Sequence, residues 1–322
     1  MMKKNFFKNI IFVILFLLAS CSSEYKIPQG ENYITVCTFN MKFFGDLDDD
    51  NNKNYGSFGA NIRRGDKKLK EKFAEYFNIA DIIAVQEVEN LDAFNNIIEY
   101  LNKEYPERKY QGFLRDNNRS PQDIGLIWDT NKVKGARGYF FRGKWLVINE
   151  KEEGDEMKKE RFTRAPVYNF FEKNGIKFIV VSAHLKSKAG EEGEGGRREN
   201  ESAKLAEWLE FQRAEKEMEN IIILGDFNDR YSFKPENTEL DALIELDRQN
   251  KIIFLTKDFR PPKYYTTASE FDGQKLKEVI DHIIITEPMK KYYVKDSCHI
   301  RILADTLLSD HNPVYATFDF SK

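Results

Sequence analysis

A chain of 322 residues with 41% hydrophobic content can bury a substantial core, as one large domain or two smaller ones. Its 50 Lys and Arg against 53 Asp and Glu give a formal charge of −3, so a polyanionic ligand must be met by a local cationic surface rather than by the field of the whole protein. Three cysteines and four histidines exclude a disulfide framework and a histidine-rich metal site.

The N-terminus carries Lys3, Lys4 and Lys8, an apolar run from Ile10 to Leu18, and Ala19-Ser20-Cys21 ahead of Ser22, Ser23 and Glu24. That run is far shorter than the roughly 20 residues a membrane-spanning helix needs, so residues 1–20 read as a removable secretory signal. Leu18-Ala19-Ser20-Cys21 resembles a bacterial lipobox, which predicts acylation of Cys21, a tether over 21–32 and a lipid-anchored place in the cell envelope, at the outer membrane or cell surface. An ordinary signal peptide is the alternative. Removing residues 1–20 takes away three Lys and no acid, which moves the formal charge from −3 to −6. Cys37 and Cys298 then remain, as small buried residues.

From residue 33 the chain alternates strand-like and helical patterns. Strands are predicted at Tyr33–Phe39, Ile82–Val88, Ile124–Trp128, Val167–Phe171, Ile176–His184, Ile221–Gly225, Val279–Ile285 and Pro313–Phe318. Ile221-Ile222-Ile223-Leu224 is continuously apolar, as expected of a strand covered on both faces. Helices are predicted around Leu69, Phe73 and Phe77, around Leu91, Phe94, Ile98 and Leu101, and from Glu199 to Glu217. Charge-, Gly- or Asn-rich stretches at 47–54, 150–161 and 186–200 read as surface loops of one domain over 33–320. The acidic stretch from Asp46 to Asn52 has Asp at the first, third and fifth places of an EF-hand-like loop but lacks its Gly and terminal Glu, so it reads as solvated, with accessory Ca²⁺ as the alternative.

Several predicted strands end in polar groups: Phe39-Asn40, Val85-Gln86-Glu87, Ala183-His184 and Gly225-Asp226-Phe227-Asn228. A carboxylate or imidazole at the mouth of a buried strand is costly to desolvate unless it meets a metal, a partner or a substrate. Singly, each has a bland reading: a turn residue, a helix-initiating acid, an Asx turn, a satisfied core histidine.

The ordered set has no such reading. Thr38-Phe39-Asn40-Met41, Gln86-Glu87, Ser182-Ala183-His184-Leu185, Gly225-Asp226-Phe227-Asn228, Ile280-Asp281-His282 and Ser309-Asp310-His311-Asn312-Pro313-Val314 together resemble the endonuclease/exonuclease/phosphatase superfamily, in its DNase I-like branch, over residues 33–319. The resemblance implies a four-layer α/β/β/α sandwich of two packed mixed β-sheets flanked by helices. It implies a Mg²⁺-dependent phosphodiester hydrolase (Mn²⁺ the alternative), acting alone on DNA or RNA. Glu87 would be the principal metal ligand, with Asn40 and Asp310 near the ion or bridging to it. Asp226 and Asn228 would orient the attacking water. His311 would contact the phosphate, steered by Asp281, and His184 would stabilise the transition state or protonate the leaving group. Whether Asp226 or His311 takes the proton stays open. Arg164 matches the arginine expected near the scissile phosphate.

Such chemistry needs an activated water, stabilised phosphoryl charge and a neutralised leaving group. Oxygen donors suit Mg²⁺, whereas paired histidines without cysteine do not make a zinc set. Two departures stand out. No acid aligns cleanly as the partner of His184, Asp116 and Asp123 being the candidates, and Glu89 occupies a position where an arginine would enter a DNA minor groove. Lys42, Arg63, Arg64, Arg115, Arg119, Lys186, Lys188, Arg197 and Arg198 are basic residues able to compensate as a group, although solvated surface is the favoured reading for any one of them. The scaffold also serves sphingomyelinases and other phosphoester hydrolases, and a non-catalytic binding lipoprotein is the third reading.

Overall fold

The computed structural model describes residues 27–47, 63–116, 120–153, 156–188, 196–234, 238–271, 274–305 and 307–321. The predicted signal, Cys21 and most of the predicted acidic loop lie outside these residues. In chain order the first elements are β1 (Tyr33–Gly45), β2 (Arg63–Arg64), α1 (Lys67–Phe77), β3 (Ile82–Val88), α2 (Leu91–Glu104), β4 (Tyr110–Arg115) and β5 (Asp123–Asp129). Next come β6 (Lys134–Gly135), β7 (Tyr139–Phe140), β8 (Val147–Glu153), β9 (Glu156–Arg161), β10 (Val167–Lys173), β11 (Ile176–His184) and α3 (Arg197–Glu215). The chain finishes with β12 (Ile221–Asp226), α4 (Asp241–Arg248), β13 (Ile252–Phe254), β14 (Thr267–Phe271), β15 (Gln274–Glu278), β16 (Asp281–Thr286), β17 (His299–Ile300) and β18 (Val314–Asp319).

These strands build two seven-stranded mixed sheets. One has the order β17-β18-β1-β3-β5-β4 with β2 beside β1, the other β13-β16-β12-β11-β10-β6 with β7 beside β10. Side-chain alternation along each strand explains why the runs are apolar at every position. Val36, Ile82, Ala84 and Leu126 of the first sheet meet Val180, Ile222, Leu224 and Ile283 of the second in a shared core. Their neighbours Cys37, Ile83 and Val85 face Phe73 and Phe77 of α1 and Phe94 of α2. On the far side Val181, Ile221 and Ile223 face Leu205 and Trp208 of α3 and Leu243 of α4. The result is the expected four-layer α/β/β/α arrangement.

Local chemistry sets the helix limits. Asp66 caps α1 by accepting from the Leu69 N–H at 2.8 Å, and Asn90 caps α2 through Ala93 N–H at 2.8 Å. Two predicted loops are corrected. Residues 150–161 contribute to the antiparallel hairpin β8–β9, and Arg197 to Asn200 form the first turn of α3. The end of the predicted tether is also packed, because Ile27 lies against the α1–α2 core.

Candidate active site

Register brings the polar strand ends together. In the second sheet His184 pairs with Asp226 across β11–β12, and Asp226 pairs with Asp281 across β12–β16, so three titratable groups end adjacent strands in line. In the first sheet Asn40 pairs with Gln86 across β1–β3. Gly225 is required here: its φ is +151°, and a Cβ would lie 1.9 Å from the Ala183 carbonyl oxygen.

The first sheet turns its polar groups inward by breaking regular pairing. Lys42 and Phe43 have φ of 49° and 55°, at a bulge between Asn40 and Phe44, and Glu87 has φ of 57° where the β3–β5 register shifts. Left-handed backbone at non-glycine residues is strained and marks functional sites. Arg63 secures the bulge. Its guanidinium donates to the Lys42 carbonyl at 2.6 Å, to Leu307 and Leu308 at 2.9 and 2.7 Å, and to Met41. Arg63 is therefore neither the solvated surface charge expected of it nor free to bind phosphate.

Around these ends the predicted residues converge. Asn40 Nδ2 donates to Asp226 Oδ2 at 3.1 Å, and the same side chain lies close enough to Glu87 to ease its charge. Asp226 Oδ1 accepts from Asn228 N–H at 2.8 Å, and Asn228 Nδ2 donates to the Leu185 carbonyl at 2.9 Å. His311 Nδ1 lies 2.8 Å from Asp281 Oδ2, and His311 Nε2 lies 3.7 Å from Asp226 Oδ2. Ser309 Oγ, accepting from His311 N–H at 3.1 Å and donating to the Asn40 carbonyl at 2.8 Å, ties the histidine turn to β1. His184 Nε2 lies 3.6 Å from Asp226 and 3.9 Å from Glu87. Asp310 is at the rim, 44% exposed and 3.4 Å from Lys42.

Burial and charge divide the two imidazoles. Burial would lower His311, but the carboxylates of Asp281 and Asp226 outweigh it and hold the ring well above its ordinary value, as a cation. Burial lowers His184 well below that value, helped by Arg164 and His311, so it is neutral. Burial pushes the Asp226 carboxyl up to about 7 and also raises Glu87.

Arg164 is buried rather than solvated. Nη1 donates to the Leu185 carbonyl at 3.2 Å, and Nη2 donates to Gln122 Oε1, whose Nε2 in turn donates to Glu87 at 3.1 Å. Neither candidate acid partners His184: Asp116 accepts from Leu91 N–H at 3.2 Å, and His184 Nδ1 has no hydrogen-bond partner among the described residues. Glu89 does not line a groove either. It is 1% exposed and accepts from Asp46 N–H at 3.2 Å. Arg198 is 2% exposed and lies 2.7 Å from Glu239, so it too is no phosphate clamp.

Three contributors escaped the sequence. Gln122 joins Arg164 to Glu87; Gln86 spans the two sheets, 3.3 Å from both Thr38 Oγ1 and Ser182 Oγ. Glu201 of α3 accepts from Thr163 N–H at 2.6 Å and Lys186 N–H at 2.7 Å, fastening the segments that carry Arg164 and His184. Gln122 and Glu201 belong to no motif, Gln86 stands inside one without a role of its own, and only their polarity in otherwise apolar surroundings could have signalled them.

Asp226, Asp281 and His311 offer ligand atoms within 4.8 Å of one another, so a metal site is available in the cleft. Within that group His311 Nδ1 and Asp281 Oδ2 already satisfy each other at 2.8 Å. The half-buried Glu87 carboxylate, raised by desolvation and eased by the Asn40 amide, fits a divalent cation better.

No protein-family model and no curated protein matches the chain. Solved structures do. The human Nocturnin catalytic domain with bound sulfate is 18% identical with a TM-score of 0.56, over 90% of this chain and 94% of that one. An endonuclease/exonuclease/phosphatase family protein from Bacteroides thetaiotaomicron is 19% identical with a TM-score of 0.56, over 90% and 98%. The 3′ phosphatase NExo from Neisseria, bound to a product DNA hairpin, is 15% identical with a TM-score of 0.56, over 89% and 99%. With its paired mixed sheets and flanking helices, the chain has the DNase I-like fold of the endonuclease/exonuclease/phosphatase superfamily.

Proposed function

We propose that this chain is a metal-dependent phosphodiester hydrolase, a nuclease acting on nucleic acid outside the cytoplasm. The observation that carries the reading is the run Asp281–His311–Asp226–Asn40, which links both sheets through separations of 2.8, 3.7 and 3.1 Å. Residues this far apart in sequence gain nothing from such convergence in a purely structural role, because two buried carboxylates beside each other are destabilising.

In this reading Asp226, held by Asn228 N–H and Asn40 Nδ2, takes a proton from the attacking water, and its raised value suits a base near neutral pH. His311, kept cationic by Asp281, donates through Nε2 to a non-bridging phosphoryl oxygen as charge builds there. Neutral His184 offers a second N–H, and Arg164 presents positive charge from the Gln122 side. The P–O bond to the leaving group breaks and that oxygen is protonated by solvent. A divalent ion, Mg²⁺ by the oxygen-rich donor set, would be held by Glu87 with Asn40 and would neutralise phosphoryl and leaving-group charge.

Residues 1–20 would direct export and Cys21 would carry the lipid anchor, a proposal resting on the N-terminal pattern. Among the described residues no helix is long and apolar enough to cross a membrane. Purified residues 21–322 incubated with supercoiled plasmid, RNA and sphingomyelin, with Mg²⁺ or EDTA, test the activity. We expect EDTA-sensitive cleavage of nucleic acid. Turnover of sphingomyelin alone would move the assignment to a lipid phosphodiesterase, and no turnover would leave a binding protein.

A further inference from the structure

Beside the candidate active site, on the opposite face of the β16 end, lies a cavity of about 440 Å³. Its floor is the buried His282 ring, fixed by Thr256 Oγ1 at 2.6 Å and the Asp229 carbonyl at 3.0 Å. Phe233, 65% exposed, forms one wall, packed edge-on against Tyr231 at 5.2 Å with the Arg260 guanidinium 5.5 Å over its ring. Arg230, Lys234, Arg260 and Lys277 line the cavity against a single carboxylate, Glu278. Even that carboxylate is offset, because Lys188 lies 3.7 Å from it and 3.5 Å from Asp229.

Two features select a ligand class. A large aromatic face left in solvent offers stacking, and an excess of cations in a chain of formal charge −3 offers phosphate binding. An apolar peptide would leave the cations unused, and an inorganic anion would leave the ring unused. A nucleotide uses both, and the cavity is of a size to hold one. Connectivity ties the cavity to the catalytic groups: Arg230 follows Asn228 by two residues, Lys277 precedes Asp281 by four, and Lys188 follows His184 by four.

We propose that this cavity is a substrate subsite that takes one nucleotide of a single-stranded segment leading away from the scissile phosphate, its base on Phe233 and its phosphate on Arg230 and Lys277. The proposal rests on the nuclease reading and supplies its substrate preference. Steady-state hydrolysis of a single-stranded decanucleotide, a dinucleotide and bis(p-nitrophenyl) phosphate by wild type, Phe233→Ala and Lys277→Glu tests it, with thermal unfolding as the fold control. We expect each variant to raise KM for the decanucleotide about tenfold. The two short substrates, which lack the further nucleotides of a single-stranded segment, should keep wild-type rates. An unchanged decanucleotide KM in both variants overturns the subsite. AMP binding by calorimetry that Phe233→Ala abolishes, with the decanucleotide KM unchanged, would make this a free-nucleotide site and overturns it equally. If wild type hydrolyses none of the three, the activity reading fails separately. Fluorescence anisotropy of a labelled decanucleotide then decides the cavity: weakening of about tenfold in Phe233→Ala supports it, and equal affinity overturns it.

Discussion

The two histidine corners of the cleft are built on opposite plans. At His311 every ring nitrogen faces a carboxylate, Asp281 at 2.8 Å and Asp226 at 3.7 Å, and the ring is held as a cation. At His184 one nitrogen has no partner among the described residues, and Arg164 nearby helps keep the ring neutral. The first corner is complete without substrate, whereas the second has polar atoms to spare: His184 Nδ1 and Arg164 Nε are both buried without a hydrogen bond. Placing two identical side chains in one cleft and driving their protonation apart is how a site obtains distinct roles from one residue type.

Substitutions test that contrast in descending order of effect. His311→Ala removes the preformed cation and should lower kcat about 10³-fold on plasmid. Asp226→Ala and His184→Ala should each cost at least about 10²-fold with normal thermal unfolding. If His184→Ala proved the more damaging of the two histidine variants, the division of roles would be reversed. Gln122→Ala, which cuts only the link between Arg164 and Glu87, should cost about tenfold, read as kcat/KM. A Gln122 variant as slow as Asp226→Ala would mean that the second corner is as preorganised as the first.

A separate effect, on stability rather than on rate, concerns His282, whose ring faces away from both corners. Burial pushes it down to about 4. A depressed imidazole contributes stability that is full above the unfolded value near 6.5 and is lost as pH falls toward 4, a difference of about 3 kcal/mol. Urea unfolding of wild type and His282→Gln at pH 7 and at acid pH should show a shallower loss in the variant, and parallel losses would assign the acid sensitivity to other groups.

Legibility followed burial. Ile82–Val88 and Ile176–His184 coincide with their predicted limits because both are apolar runs covered on two faces. The motif acids and histidines were legible for a related reason, since chemistry restricts what can stand at those strand ends. The hairpin over 147–161 was hidden by Lys and Glu in alternation, which carries no apolar period. Arg63 and Arg198 looked like surface charge, because nothing local announces that a guanidinium will be spent on distant carbonyls or on Glu239. Gln122 and Glu201 act across separations of 35 and 38 residues, through contacts that exist only once the sheets are packed.

The grip of Arg63 on carbonyls of both Met41–Lys42 and Leu307–Leu308 makes completion of the cleft depend on segments as far as 245 residues apart. Ser309 Oγ, donating to the Asn40 carbonyl across 269 residues of sequence, closes the same bracket from the histidine turn. A chain in which that bracket has not formed holds the polar groups of the cleft apart, so the site assembles whole or not at all.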